Sequence, residues 1–154
     1  MLPLRAVVRR VLGAKVKVDG SVVGEIAEGL LVYLGVSKED DVSDLNWLSS
    51  KLAGLRVFDD RAGRMNLSVL DVSGELLVVS QFTLFGNVRK GFRPSFNRAA
   101  SPEQGKQLYE QFVENMESLL DKPVATGKFG AEMEIHALDD GPVTLMIDTK
   151  DKRF

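Results

Sequence analysis

Short apolar runs separated by turn-forming residues dominate the first part of the chain and predict β-strands. Residues 5–11 and 15–18 are interpreted as two strands, and Asp19-Gly20 predicts a tight hairpin turn into an antiparallel strand over 21–26. Residues 30–36 are almost wholly apolar and too few for a solitary helix. They therefore predict a central strand.

Two segments show the three-to-four-residue apolar spacing of an amphipathic helix. The first runs from 40 to 54, with acids at its start and Gly54 at its end. The second begins at Ser101-Pro102-Glu103-Gln104, which combines an N-cap serine, a proline at the first helical position and a glutamine placed to close a capping box. Pro123 forbids its continuation past Lys122.

The remaining apolar segments predict further strands or extended chain. They are residues 55–58, 65–67, 68–72, 76–84, 124–129, 132–138 and 143–148, the last two being separated by a predicted turn at 139–142. About nine strands and two helices predict an α+β fold, in which a curled, barrel-like antiparallel or mixed β-sheet carries two main helices. A sheet of that length tends to close on itself or to pair with a second copy, so we expect a homodimer.

Composition narrows the class of protein. The 154 residues, 44% of them hydrophobic, fit one globular domain spanning 1–154. The absence of cysteine excludes disulfides, thiolate metal sites and a cysteine nucleophile. No apolar stretch is long enough for a signal sequence or a membrane span, so we expect a cytoplasmic protein. A formal net charge of −2 means that any nucleic-acid partner is held by a local patch.

The stretch from 75 to 86 changes character at Ser80. Before it the chain is apolar and predicts a strand buried on both faces, whereas after it polar and apolar residues alternate. The alternation predicts an extended chain with Ser80 and Phe82 on one side and Gln81 and Thr83 on the other. Two hydroxyls and an amide could hold a polar substrate or an oxyanion, or could simply pair with neighbouring backbone.

His136 is the only histidine, and it shares a predicted strand face with Glu132 and Glu134. A solvated, charged strand face is the favoured interpretation. A metal site or a triad histidine is the alternative. The sequence therefore offers few of the residues that classical nucleophilic catalysis needs.

Two loops could carry function. In residues 139–144 a Gly141-Pro142 bond could be cis and could fix the adjacent carbonyl oxygens as a geometric gauge, or the segment could be an ordinary turn. Residues 87–98 carry four cations, together with Phe92 and Phe96. Such a loop could hold phosphates and stack a base, or could simply be solvated.

Taken together, residues 80–84 (Ser-Gln-Phe-Thr-Leu) and 140–144 (Asp-Gly-Pro-Val-Thr) resemble the two signature segments of the D-aminoacyl-tRNA deacylases. The resemblance covers nearly the whole chain and includes residues 64–68, 89–96 and 126–131. It implies a cytoplasmic homodimer that proofreads aminoacyl-tRNA. Such an enzyme hydrolyses the ester between a D-amino acid, or mischarged glycine, and the terminal adenosine of tRNA, with no metal or organic cofactor.

The resemblance also implies roles for individual residues. Gly141-Pro142 would be a cis dipeptide inserted into the active site of the other protomer, where it rejects L-aminoacyl-tRNA, and Arg10 would hold its loop. The pocket for the adenosine and the ester would be lined by the catalytic residues Ser80, Gln81 and Thr83 and by Phe82, which binds substrate. Met133 is a further candidate for substrate binding, and the candidates for tRNA binding are Arg89, Lys90 and Arg93.

The implied chemistry uses the 2′-hydroxyl of the substrate itself, with the protein positioning the ester and the attacking water. Two places depart from the pattern of the family: Phe85-Gly86-Asn87 lacks an acid, and Asp139 stands where asparagine is usual.

Three alternatives remain open from the residues alone. One is a covalent esterase with Thr83 as the nucleophile. Another is a non-catalytic nucleic-acid-binding module that uses the loop from Arg89 to Arg98. The most distant is a metal hydrolase built on Glu132, Glu134 and His136.

Overall fold

The fold combines a mixed, nearly closed β-sheet with two helices, as the sequence predicts. The computed structural model describes residues 4–39 and 41–151. Its elements are β1 (Arg5–Val18), β2 (Ser21–Ile26), β3 (Gly29–Gly35), α1 (Val42–Gly54), β4 (Phe58–Asp59), β5 (Met65–Leu67), β6 (Glu75–Ser80), a 3₁₀ helix (Phe82–Phe85), α2 (Pro102–Leu120), β7 (Ala125–Thr126) and β8 (Glu134–Asp148).

The main sheet has six strands in the order β2-β1-β3-β6-β7, with β8 paired to β1. β1 runs antiparallel to β2, β3 and β8, whereas β3, β6 and β7 are parallel to one another. β4 and β5 form a separate two-stranded sheet. Because β3 and β6 are parallel, their carboxyl ends lie at the same edge of the sheet, where Leu34 pairs with Ser80.

The N-terminal strand is longer than predicted. Residues 5–11 and 15–18 belong to one strand, because β8 pairs with β1 from Arg5 to Lys17. The break at Leu12-Gly13 is absorbed by a register shift, which leaves the Leu12 side chain half exposed.

The prediction of two strands separated by a turn at 139–142 is also wrong. Both halves of β8 pair with β1 in the same direction, so they form one strand rather than a hairpin. Arg9 pairs with Thr144 and Val11 pairs with Asp139, so four residues, 140–143, stand opposite the single residue Arg10. The Gly-Pro segment is therefore a bulge in a long strand.

Residues 68–72 form a turn and not the predicted extended chain. The Ser68 amide donates to the Asp71 carboxylate at 2.8 Å, and the Asp71 amide donates to the Ser68 hydroxyl at 3.1 Å. Such reciprocal bonds compete with a strand ladder. Val69 is nevertheless buried, so the turn packs on the core.

The two faces of β3 and β6 belong to two different apolar clusters. Leu30 and Val32 face the helices, whereas Leu31 and Val79 face the inside of the curled sheet. Ile135 and Ala137 of β8 pack against this second cluster, as does Met133 just before β8. The predicted burial of the central strands on both faces is confirmed.

Helix starts are set by side-chain caps. Asp41 and Asp44 form a full capping box at α1, and the Asp40 of the predicted start lies outside the described residues. At α2 the Ser101 hydroxyl accepts from the Gln104 amide nitrogen at 3.2 Å. The Gln104 side chain donates to the Lys38 carbonyl instead of closing the predicted box. Across the described ranges, neither helix has the length and apolarity to cross a lipid bilayer.

Candidate functional site

The chain turns sharply where β6 ends. The Gln81 amide donates to the Leu34 carbonyl at 2.7 Å, and the next four residues form the 3₁₀ helix, so the predicted extended alternation past Ser80 is wrong. The Phe85 side chain is buried against Gly35, where a Cβ would stand 3.0 Å from the Phe85 ring. Burying this ring requires the chain to curl back over β3.

A cavity of about 300 Å³ lies at the carboxyl ends of β3 and β6, beside the start of α2. Ser80 and Gln81 are the polar groups that β6 and its end contribute to the wall, and Phe82 lines it as well. Much of the remaining wall is apolar, formed by Leu34, Val36, Ala100, Tyr109 and Phe129 among others. Clefts at the carboxyl ends of parallel strands, apolar with a few polar groups, are common ligand sites.

Tyr109 and Phe129 were not predicted as site residues. Their rings lie 5.7 Å apart, and the Tyr109 hydroxyl donates to the Val78 carbonyl at 2.8 Å. Burial raises the pKa of Tyr109 to about 12. No spacing in the sequence relates them to Ser80, because α2 and the segment after β7 meet β6 only in the folded chain.

Thr83 lies on the exposed surface of the 3₁₀ helix, next to the cavity. Its hydroxyl accepts a hydrogen bond from the Gln81 side-chain amide, so the two residues form one polar unit. His136 pairs with Lys15 on β1, nine residues beyond Ala6, which pairs with Leu34 beside the site. That offset places the imidazole roughly 30 Å from Thr83 in the same chain.

His136 contacts the Glu134 carboxylate on the exposed face of β8. In the ranges 4–39 and 41–151, no group of three or more His, Asp or Glu side chains is arranged to hold a metal ion. The two residues are therefore a pair on a charged strand face, the arrangement that the sequence favours.

A projecting hairpin stands beside the mouth of the cavity. Asn87 and Ser95 exchange both backbone hydrogen bonds, at 2.7 and 2.9 Å, and the residues between them are exposed. Phe96 packs edge-on against Phe82, with the ring centroids 5.1 Å apart. Among the described residues, no acidic side chain forms an ion pair with the hairpin cations, which are Arg89, Lys90 and Arg93.

The Gly141-Pro142 peptide is cis, and Gly141 has a φ of 114°. A Cβ at Gly141 would stand 3.0 Å from the Arg10 guanidinium, so the close approach as well as the positive φ favours glycine. Arg10 is buried and donates to the Val57 carbonyl at 2.7 Å and to the Asp140 carbonyl at 3.3 Å. The bulge is therefore tied to the core through Arg10.

A second arginine holds the same segment. Arg9 donates to both carboxylate oxygens of Asp139, at 2.9 and 2.8 Å, and to the Tyr33 hydroxyl at 3.2 Å. The hydrogen bond with Asp139 raises the pKa of Arg9. Arg9 and Asp139 therefore form a bidentate, charge-assisted pair.

The structure does not bring the Gly-Pro bulge to the cavity of the same chain. The bulge lies opposite Arg10 at the level of Leu30, whereas Ser80 pairs with Leu34, and β8 is separated from β6 by β1 and β3. Strand spacing and rise place the two segments roughly 20 Å apart. Met133 is also elsewhere, since it packs against Gly127 and the inner cluster.

Comparisons with known proteins place the chain in a family. The family model for D-Tyr-tRNA(Tyr) deacylase matches residues 7–148. A protein of Thermosipho africanus named D-aminoacyl-tRNA deacylase is 53% identical over 147 residues, which cover 96% of this chain and 98% of that protein. One of Thermotoga petrophila with the same name is 55% identical over 146 residues, covering 95% and 97%.

Two solved structures share the fold. The c-Myc DNA unwinding element binding protein has a TM-score of 0.87 and 40% identity, over 93% of this chain and 97% of that one. A probable eukaryotic D-amino acid tRNA deacylase has a TM-score of 0.82 over 96% and 100% of the chains, and at 19% identity it shows the fold alone. From the family model and the relatives together, the chain belongs to the D-Tyr-tRNA(Tyr) deacylase family, hydrolases that act on the ester bond of D-aminoacyl-tRNA.

Proposed function

We propose that this chain, as one domain over 1–154, acts in the cytoplasm on D-aminoacyl-tRNA and on mischarged glycyl-tRNA(Ala), and that it rejects L-aminoacyl-tRNA. The observation that carries the proposal is the setting of the two signature segments. Residues 80–83 adjoin an open, mostly apolar cavity, whereas Gly141-Pro142 is held rigidly about 20 Å away. An active site that contains both segments must therefore take one of them from a second copy of the chain.

The cavity suits the terminal adenosine of tRNA. Its apolar wall and the exposed face of Phe82 match a flat base, and Ser80 and Gln81 offer the few polar groups that fix orientation. The ester would then lie at the mouth, beside the Gln81 and Thr83 pair.

Catalysis in this proposal is by positioning. The only histidine of the chain lies far from Thr83, so Thr83 lacks a histidine base. A water molecule, assisted by the 2′-hydroxyl of the substrate, attacks the ester carbonyl instead; the bond from the acyl carbon to the ribose oxygen breaks, and that oxygen takes up the proton lost by the water. Ser80, Gln81 and Thr83 orient the ester and the water without forming a covalent intermediate. Orientation of this kind can lower a barrier by about 7–11 kcal/mol in favourable cases, and no cofactor is required.

Selectivity is assigned to the partner's bulge. In a homodimer the segment containing Gly141 and Pro142 would lie directly against the amino acid of the substrate. Arg10 would hold that segment in a fixed position. D and L substrates carry the same groups, so only a rigid obstacle to one placement of the side chain separates them. Glycine would pass because it has no side chain. Met133 is proposed as a further contact to the substrate.

The cations of the hairpin are proposed to bind the tRNA. Arg89, Lys90 and Arg93 are exposed beside the cavity mouth and can pair with backbone phosphates. The same observation favours a second candidate, a nucleic-acid-binding module without catalysis. A structural relative named as a DNA unwinding element binding protein shares the fold at 40% identity.

The test is hydrolysis of matched D-tyrosyl-tRNA and L-tyrosyl-tRNA by the purified protein in the presence of a chelator. We expect rapid loss of the D ester only, and loss of selectivity or of activity when Gly141 and Pro142 are both changed to alanine. Replacing the terminal 2′-hydroxyl by hydrogen should slow the D reaction strongly. Full activity on that deoxy substrate, abolished by Thr83→Ala, would instead indicate the covalent esterase. Salt-sensitive binding of tRNA without cleavage of either ester would instead support the nucleic-acid-binding module without catalysis.

A further inference from the structure

Phe92 is the most exposed large apolar side chain among the described residues. It is fully exposed, at 104% of the reference area, at the tip of the hairpin between Asn87 and Ser95. By contrast, Phe85 and Phe112 are buried, and Phe96 packs on Phe82. A phenylalanine that the fold leaves entirely in water is a candidate for contact with a ligand.

The surroundings of Phe92 indicate the chemistry of that ligand. Arg89, Lys90 and Arg93 lie within three residues of it and form no ion pair with any described acid. If Phe92 bound an apolar protein surface, these unneutralised cations would have to be desolvated at a high free-energy cost. Cations beside an exposed aromatic ring are the arrangement by which proteins bind single-stranded nucleic acid, with phosphates on the cations and a base on the ring.

The hairpin is continuous with the proposed adenosine site. Phe96, in the strand that leaves the hairpin, contacts Phe82 at the cavity. Phe92 is four residues away, at most roughly 14 Å along an extended chain. A stacked strand rises about 3.4 Å per nucleotide, so this distance corresponds to a few nucleotides.

We propose that Phe92 is a base-stacking residue for the unpaired nucleotides that precede the terminal adenosine of tRNA. The inference rests on the proposed function, and it adds a recognition surface outside the cavity. The ring takes one base, and the neighbouring cations hold the phosphates on either side of it. The contact is independent of sequence, since every base has a flat face.

The test compares two substrates that share the same ester. One is D-tyrosyl-tRNA and the other is the D-tyrosyl ester of adenosine, which lacks the preceding nucleotides. We expect Phe92→Ala to lower kcat/KM on the tRNA by at least about fivefold, the lower end for loss of one base–aromatic stack, mainly through KM. The adenosine ester should be hydrolysed as fast as by the wild type.

Matched variants separate stacking from simple apolar contact. Phe92→Tyr should keep the wild-type rate on tRNA, whereas Phe92→Leu should behave like Phe92→Ala. Arg89→Gln should instead reduce the salt dependence of tRNA binding by about one unit of slope. Urea midpoints and sedimentation should be unchanged in every Phe92 variant, because the ring contacts nothing that the structure describes.

Several results would overturn the inference. They are full activity of Phe92→Leu on tRNA, equal losses on both substrates, or a change of oligomeric state in Phe92→Ala. If the wild type hydrolyses D-tyrosyl-tRNA and Phe92→Ala does so equally well, the inference fails while the proposed function stands. If the wild type cleaves neither ester, both fail together.

Discussion

At the scale of single residues, buried polar groups hold the two parts of the site in place. Arg10 links the 140–143 bulge to the Val57 carbonyl, and the Tyr109 hydroxyl links α2 to the Val78 carbonyl behind the cavity. Each is a long side chain whose polar end is satisfied inside the fold, so its removal costs hydrogen bonds as well as packing.

Tyr109 gives the protein a predictable response to alkaline pH. Burial raises its pKa from 10.0 to about 12, so the folded state holds the phenolic proton more tightly than the unfolded chain. This contribution to the free energy of unfolding is fully present below pH 10 and is lost as the pH rises to 12, and the total loss is about 2–3 kcal/mol. Tyr109→Phe should cost about 1 kcal/mol at pH 8, and the difference from the wild type should shrink and reverse by pH 12.

Urea unfolding of both proteins from pH 8 to 12 measures this effect. Because the two proteins differ only at position 109, the comparison isolates the effect of Tyr109. A gap between the two proteins that stays constant over the whole range would contradict the buried, protonated state of Tyr109.

At the scale of elements, the 3₁₀ helix is positioned by a side chain of β1. Arg5 donates to the Leu84 carbonyl at 3.0 Å and to the Asp148 carboxylate at 3.1 Å, and its guanidinium lies 5.2 Å from the centre of the Phe85 ring. One arginine therefore joins the end of β8 to the helix that carries Thr83.

Arg5→Ala should loosen this helix without unfolding the protein. We expect a loss of about 1–2 kcal/mol in the free energy of unfolding, because the Asp148 carboxylate keeps its bonds from the backbone of Lys150 and Asp151. We expect kcat/KM to fall by about 10- to 100-fold, since small displacements of a positioning group are costly. Arg5→Lys should rescue only part of the loss, because an ammonium lacks the planar fork.

The measurements are urea unfolding and steady-state hydrolysis of D-tyrosyl-tRNA. Asn115→Ala is a suitable control, as it removes a hydrogen bond between α2 and Asn46 of α1, away from the 3₁₀ helix. If Arg5→Ala and Asn115→Ala reduce activity to the same degree, the effect of Arg5 is one of general stability.

At the scale of the whole molecule, the proposed homodimer predicts that each active site is shared between two protomers, because the two signature segments lie far apart in one chain. Thr83→Ala and the double alanine variant at Gly141 and Pro142 should each be impaired as pure proteins. When they are mixed and allowed to exchange subunits, the mixed dimer should contain one site with an intact Thr83 and an intact partner bulge. About one quarter of all sites would then be complete.

Hydrolysis of D-tyrosyl-tRNA before and after subunit exchange measures this recovery. A mixture of either variant with itself, carried through the same procedure, is the control. Activity of the mixture that stays at the average of the two pure variants, with exchange verified by differently tagged chains, would show that each chain uses its own bulge.

Prediction from the sequence succeeded where a local rule dominates. Asp19-Gly20 predicts the turn between β1 and β2, and the apolar run of β6 predicts a strand buried on both faces; both are confirmed. It failed where a distant partner overrides the local pattern. Alternation after Ser80 predicts extended chain, but burial of Phe85 against Gly35 curls it into a 3₁₀ helix.

The sequence by itself determined both helices, the central strands, the β1–β2 turn and the exposed, cation-rich loop, because these follow from periodicity and turn chemistry. Only the tertiary structure decided that residues 134–148 are one bulged strand and that Arg10 reaches the Val57 carbonyl in the core. It also decided that Tyr109 and Phe129 complete the cavity. These features depend on register and packing between segments far apart in the chain, which no local pattern encodes.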